Sequence, residues 1–153
     1  MASSTDNSVH IAAPLDVVWR LTNDVRTWPG LFTEYAAVDV LDEDGPTVRF
    51  RLTMVPDHDG TVWSWVSERT TDEATHSVRA HRVETGPFVY MRIHWTYRSD
   101  DEGTLMRWRQ EFEAKPEAPF DDAGITKRIN DNTRIQMDVI KQKVETAAAA
   151  LRV

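Results

Sequence analysis

Trp63-Ser-Trp-Val-Ser-Glu-Arg69 is the stretch on which the reading of this chain turns. Trp63 and Val66, with Thr70 following, favour extended backbone, and Gly60 punctuates the start. Successive side chains of a strand point to opposite faces. Trp63, Trp65, Ser67 and Arg69 therefore share one face, and Val62, Ser64, Val66 and Glu68 the other. The first face runs from two indoles through a hydroxyl to a guanidinium. That gradient suits a deep pocket with aromatic walls and a few polar groups inside. It equally suits a half-buried strand whose Arg69 reaches water at the sheet edge.

Toward the C-terminus, turn residues at 72–75 lead into alternation over 76–84. There Val78, Ala80 and Arg82 share one face, and Arg79, His81 and Val83 the other. Thr85-Gly86-Pro87 interrupts. Residues 88–98 set Met91, Ile93 and Trp95 against Arg92, His94 and Thr96. After a turn at 99–103, residues 104–113 set Met106, Trp108, Gln110 and Phe112 against Arg107, Arg109 and Glu111. Toward the N-terminus, 47–55 alternate between turns at 42–46 and 56–60. Further strands are expected over 36–43 and 6–12. Between those two, Pro14 opens a short helix where its missing N–H does no harm. Asn23-Asp24 breaks that helix, and a second short one is expected across 25–31.

Beyond Pro116 and Pro119 the spacing turns helical, from about 120 to 151: Ile125, Ile129, Thr133, Met137, Ile140, Val144, Ala147, Leu151. Thr133 lies on this apolar stripe and Gln136 borders it. Polar groups there cost stability unless they meet partners or water. The order predicts an α+β fold, a curved antiparallel sheet of about seven strands wrapped around a long C-terminal helix. Two short helices follow the first strand, and a cavity separates sheet from terminal helix. One domain over 1–153 is expected.

Composition sets the outer limits. A charged fraction of 28% and a hydrophobic fraction of 41% fit a soluble globular chain. Six tryptophans are unusual and call for a use. No cysteine is present, which excludes disulfides and thiolate metal sites. The N-terminus lacks the pattern of a signal peptide, and no apolar run approaches a membrane span. A cytoplasmic monomer is the expectation. A net charge of −7 argues against general nucleic-acid binding, which needs phosphate neutralisation. The five histidines are scattered without metal-ligand spacing, so no metal is expected. His81 and His94 fall opposite Arg82 and Trp95, and read as surface or structural.

Several runs carry a resemblance: Thr5-Asp-Asn, Trp28-Pro-Gly-Leu-Phe-Thr-Glu-Tyr35-Ala, Val62-Trp-Ser-Trp-Val-Ser-Glu-Arg69, Val78-Arg-Ala-His-Arg82-Val-Glu-Thr-Gly-Pro-Phe88 and Met106-Arg-Trp108. In these runs, and over about 5 to 148, the chain resembles the single-domain aromatase/cyclases of bacterial type II polyketide synthesis, of the tetracenomycin and spore-pigment types. The resemblance implies a helix-grip fold, similar to START-domain and birch-allergen proteins. It implies intramolecular aldol closure and dehydration of a linear poly-β-ketone tethered to an acyl carrier protein, supplied by a minimal type II polyketide synthase. It implies first-ring closure between C9 and C14, which a C7–C16 closure can follow, and no cofactor. Family pocket positions match at Trp28, Phe32, Tyr35, Trp63, Trp65 and Ser67, and again at Arg69, Arg82, Phe88, Trp95 and Trp108. At Gln136 the tetracenomycin type differs, carrying Asn.

Such chemistry asks for flat walls that restrict the chain and for a cation where an enolate or alkoxide develops. Arg69 fits the cation. Tyr35 is the candidate proton donor, with Arg69 expected near enough to lower its pKa. Its other reading is a structural hydroxyl bonded to backbone. Ser67 could orient either group. Arg82 is a second anchor or the partner of a carboxylate. Trp28, Trp65, Trp95 and Trp108 read as cavity walls, and Trp19 as core. No residue stands out as a general base. Lys127, Arg128 and Arg134 are candidates to meet an acidic carrier protein. The alternative function is a carrier or chaperone of a hydrophobic ligand, whose cavity would be purely apolar.

Overall fold

Among the described residues, 2–151 of this computed structural model, seven strands and three α-helices occur. The expected domain limits, 1 and 153, lie outside the described residues. The strands are β1 (Ser3–Ile11), β2 (Tyr35–Asp44), β3 (Thr47–Met54), β4 (Ser64–Asp72), β5 (Ser77–Arg82), β6 (Phe88–Asp100) and β7 (Gly103–Ala114). The helices are α1 (Leu15–Asn23), α2 (Trp28–Leu31) and α3 (Asp122–Leu151). One antiparallel sheet orders the strands β1-β7-β6-β5-β4-β3-β2. Strands β2 to β7 thus form a continuous meander, and β1 closes it on the β7 side.

The sheet is bent by irregularities rather than left flat. Register shifts lie between Tyr35 and Ala37, between Val40 and Asp42, and between Phe88 and Tyr90. A bulge inserts an unpaired residue, bends its strand and increases local twist. Into the resulting concavity α3 lays a stripe of Ile125, Thr133, Gln136, Met137, Ile140, Val144 and Ala148. This is the 3–4 spacing of one helix face. The C-terminal half of the stripe joins Ile11, Val18, Met106 and Trp108 in the larger core. Ile125 belongs to a smaller cluster with Phe88, Met91 and Phe112.

Several expectations shift by small amounts. Trp63 lies just before β4 instead of within it. The second short helix divides into a 3-10 turn, Val25–Thr27, and α2, because Asp24 accepts the Arg26 N–H at 3.2 Å and caps the turn. At the end of α3, Ala148 takes the buried position expected of Ala147, and Leu151 is 61% exposed. An extra i+4 step from Val144 turns the stripe past those residues.

β7 opens at Gly103, with φ of +147°. A Cβ there would lie 2.2 Å from the Ile11 carbonyl oxygen. The close approach lets Thr104 donate its hydroxyl to the Ala13 carbonyl at 2.8 Å, stitching β7 to the start of α1. Gly103→Ala is expected to destabilise the fold by about 3 kcal/mol, since both backbone conformation and space are refused. Gly30→Ala, with nothing within 4 Å, is the control and should be neutral or slightly stabilising. Urea unfolding of the two variants measures the contrast.

Candidate functional site

Between the concave sheet face and α3 lies a cavity of about 510 Å³, a size suited to one drug-sized ligand. Trp65, Ser67 and Arg69 line it, as the alternation of β4 requires, and Trp63 joins them from just before the strand. Exposed lining residues Val62, Glu84, Gly86 and Arg128 mark its open side. Arg69, only 4% exposed, marks the inner end.

The inner end is built on the last turn of α1. Arg69 Nη2 donates to Asn23 Oδ1 at 2.5 Å. Asn23 is itself oriented, since its Nδ2 donates to the Trp19 carbonyl at 2.9 Å. Thr22 gives its single hydroxyl proton to the Val18 carbonyl at 2.7 Å. The Tyr97 hydroxyl, 2.7 Å from Thr22 Oγ1, must therefore donate to it. That leaves the Tyr97 oxygen to accept from Arg69. The Trp28 indole donates to the Thr22 carbonyl at 3.1 Å. Arg69 lies against the Trp28 and Trp95 rings, 5.3 and 4.7 Å from their centroids. Burial lowers its pKa to about 10, an effect Tyr97 opposes, so it stays charged at neutral pH. Burial raises the Tyr97 phenol, against the pull of Arg69.

Aromatic rings form one wall. Trp95 and Trp108 face each other across β6 and β7 and stack at 4.3 Å, with planes 7° apart. Trp108 continues to Phe32 at 5.9 Å, and Trp95 to Trp28 at 5.8 Å. Trp28 stacks in turn on Tyr35 at 6.0 Å. Trp19 stays outside the cavity and packs edge-on against Tyr97 at 5.0 Å.

Nearer the opening stands a second cation. Arg82 lies 4.0 Å from the Trp65 centroid and 4.9 Å from that of Phe88. Burial brings its pKa to about 10, with Tyr35 acting in the opposite sense. No carboxylate among the described residues pairs with Arg82 or Arg69. On the outer face of the sheet, by contrast, Arg49, Arg51, Arg92 and Arg107 pair with Glu68, Glu84, Glu111 and Asp6.

This geometry corrects two expectations. Arg82, not Arg69, is the cation beside Tyr35. The Tyr35 phenol is not lowered: burial, then the charge of Glu34, holds it well above its ordinary value. The cross-strand register explains the exchange. Ser67 faces Arg82 and Arg69 faces Ala80, so the two guanidiniums sit diagonally on one face. Gln136 lines the cavity, but its amide clasps Thr33: Oε1 accepts the backbone N–H at 3.0 Å, and Nε2 donates to Oγ1 at 2.8 Å. Ser67 is buried between Phe50 and Arg82 in register. The Trp63 indole donates to Asp57 Oδ2 at 3.1 Å, anchoring the loop before β4. Of the three cations expected at a carrier surface, Lys127 pairs with Asp131 at 2.6 Å. Arg134 Nε donates to Asn7 on β1 at 3.1 Å. Arg128 alone lines the cavity.

Sequence reasoning missed Asn23, Tyr97, Asn132 and Glu34. Asn132 donates to Glu34 Oε2. Burial raises the Glu34 carboxyl, while Asn132 and Tyr35 draw it back down.

The match to known families is unambiguous. Residues 3–145 fit the family described as polyketide cyclase / dehydrase and lipid transport. The chain belongs to this family. It is 56% identical over 145 residues, 95% of each chain, to a Streptomyces cyaneus protein assigned as a polyketide cyclase. Among solved structures, the Zhui aromatase/cyclase from Streptomyces sp. R1128 superposes with a TM-score of 0.83 at 19% identity, over 95% of this chain and 94% of that one. A START superfamily protein from Mycobacterium smegmatis gives 0.80 at 14%, over 94% and 98%. These two likenesses establish the helix-grip, START-like fold of the polyketide cyclase family member described here.

Glu34 gives a pH test. A carboxyl raised above its ordinary value, 4.5, contributes stability that is present below that value and lost as pH rises through the folded one. Glu34→Gln, which keeps an oxygen for Asn132, should lack this dependence. The variant is expected to be more stable than the parent near neutrality, with the difference narrowing toward pH 4.5. Urea midpoints across that range measure it.

Proposed function

We propose that the cavity receives a linear poly-β-ketone carried by an acyl carrier protein and directs its first-ring aldol closure and dehydration to an aromatic ring. C9–C14 is the favoured closure, with C7–C16 able to follow. The family and its relatives support polyketide cyclase activity as the broader assignment. The carrying observation is the pair of inward guanidiniums, Arg69 and Arg82, laid on aromatic faces without a carboxylate.

Closure develops negative charge on an enolate oxygen and then on an alkoxide. A fixed cation in a low-dielectric site stabilises both without reorganising. Arg69 holds one substrate carbonyl at the inner end, and Arg82 a second nearer the opening. The Trp28, Trp95 and Trp108 faces flatten the chain between them and exclude water. Such positioning lowers the barrier by removing conformational freedom before reaction. Tyr35 keeps its proton at neutral pH and serves as donor. Ser67, Trp63, Trp65, Phe32 and Phe88 shape the passage, and Gln136 fixes Thr33 beneath it. A passive lipid carrier has no need of two desolvated cations, so the polar lining weighs against that reading.

In a reconstitution with a minimal polyketide synthase, the protein should shift product away from spontaneous cyclisation. Arg69→Ala should lower directed closure by about 100-fold, the usual cost of removing a preorganised charge stabiliser. Tyr35→Phe should lower it by a similar factor. Unchanged product ratios in both variants would overturn these roles. For the carrier protein, Arg128→Glu should weaken binding severalfold through slower association. Arg134→Glu should not, because that side chain is engaged at β1. Titration of acyl carrier protein against each variant separates them.

A further inference from the structure

We propose that Glu34 is the proton acceptor of the ring closure, passing the proton on to Tyr35 and held in place by Asn132. The inference rests on the cyclase reading above and assigns the base which that reading leaves open.

The lining of the cavity offers few groups that exchange protons near neutrality. None of the five histidines lines it. Its carboxylates are Glu34 and Glu84. Glu84 is exposed and tied to Arg51 at 2.8 Å, on the rim. Glu34 is partly buried, between β2 and α3. Asn132 donates to its Oε2 from α3, and the Tyr35 hydroxyl bonds to it from β2. An ionised carboxylate has about four lone-pair sites, so capacity remains for a substrate C–H. The other charged groups lining the cavity are Arg69 from β4, Arg82 from β5 and Arg128 from α3, with Glu84 after β5. The Asn132 and Tyr35 hydrogen bonds favour the ionised form, and burial disfavours it.

The proton inventory closes on these two residues. In the aldol step the Glu34 carboxylate takes a methylene proton lying between two ketones. The carbon–carbon bond forms, and the attacked carbonyl oxygen becomes an alkoxide. Tyr35 gives the alkoxide its proton and recovers one from protonated Glu34. In the dehydration step Glu34 takes the remaining proton from the same carbon. The carbon–oxygen bond breaks, the hydroxide leaves with the Tyr35 proton as water, and Glu34 again reprotonates Tyr35. No external acid, base or oxidant is needed.

The test uses the full chain with a minimal synthase, reading the ratio of directed to spontaneous products as pH is lowered from neutrality. The parent ratio should fall on the acid side as Glu34 protonates. Glu34→Gln should lose about 100-fold in directed closure and lose the acid limb. Glu34→Asp should keep the limb at reduced rate. Asn132→Ala removes the bond that favours the ionised carboxylate, so its limb should move to higher pH while the plateau at high pH survives. Circular dichroism of each variant confirms folding. A folded Glu34→Gln with the parent ratio and acid limb, beside an Arg69→Ala that diverts product, overturns the role of Glu34 alone. A parent protein that leaves the synthase products unchanged overturns the cyclase reading and this one together.

Discussion

The structure depends on how Arg69 is held. A cation almost wholly removed from water carries a large desolvation cost unless bonded. A carboxylate would meet that cost and also cancel the charge. Here the acceptors are neutral, the Asn23 amide oxygen and the Tyr97 hydroxyl, and two indole faces complete the shell. The guanidinium is therefore positioned and still positive toward the cavity. Much of the surrounding fold serves this arrangement. The end of α1 supplies Thr22 and Asn23, β6 supplies Tyr97 and Trp95, and α2 supplies Trp28, itself bonded to Thr22. Each holds another, so loss of one hydrogen bond loosens several.

An open space beside such a cation also needs support, because an apolar helix would settle onto the sheet and fill it. The polar middle of α3 prevents this. Gln136 is spent on Thr33, and Thr133 meets Gln110 at 3.4 Å. Asn130 accepts from Asn7 at 2.9 Å. These bonds fix the height of the helix above β1, β7 and the α2–β2 link. Apolar packing then closes both ends: Met137, Ile140 and Val144 at one, Ile125 with Phe88 and Phe112 at the other. The cavity survives between two cores.

Strand periodicity made most of the fold legible, and with it the inward faces of β4 to β7. Arg69, Arg82, Trp95 and Trp108 follow directly from counting by two. The same rule hid Glu34. A neighbour of inward Tyr35 is assigned to the opposite face, yet Glu34 lies before β2 begins, where alternation has no force. A register shift between Tyr35 and Ala37 follows at once, so the count by two is broken on that side as well. Asn23 was hidden for another reason. Locally, Asn-Asp reads as a helix terminator, which it is. Its amide has a partner on β4, 46 positions away in sequence, and no local signal carries that. The pairing of Tyr35 with Arg82 was likewise a matter of register, which depends on where each hairpin turns.

Two cations on one sheet face also constrain what can bind. Arg69 and Arg82 are diagonal neighbours on adjacent strands, a separation of about 7–8 Å between side-chain origins. Their guanidiniums diverge, one toward α1 and one toward the β5–β6 link. A fatty chain would meet both with methylenes and leave two desolvated charges unanswered. A chain with oxygen on every second carbon can answer both, and only in conformations that bring the right pair of carbonyls to the two sites. Under the proposed function, recognition of the substrate class and choice of its folded shape are one act, assigned to the same two side chains and the aromatic surface between them.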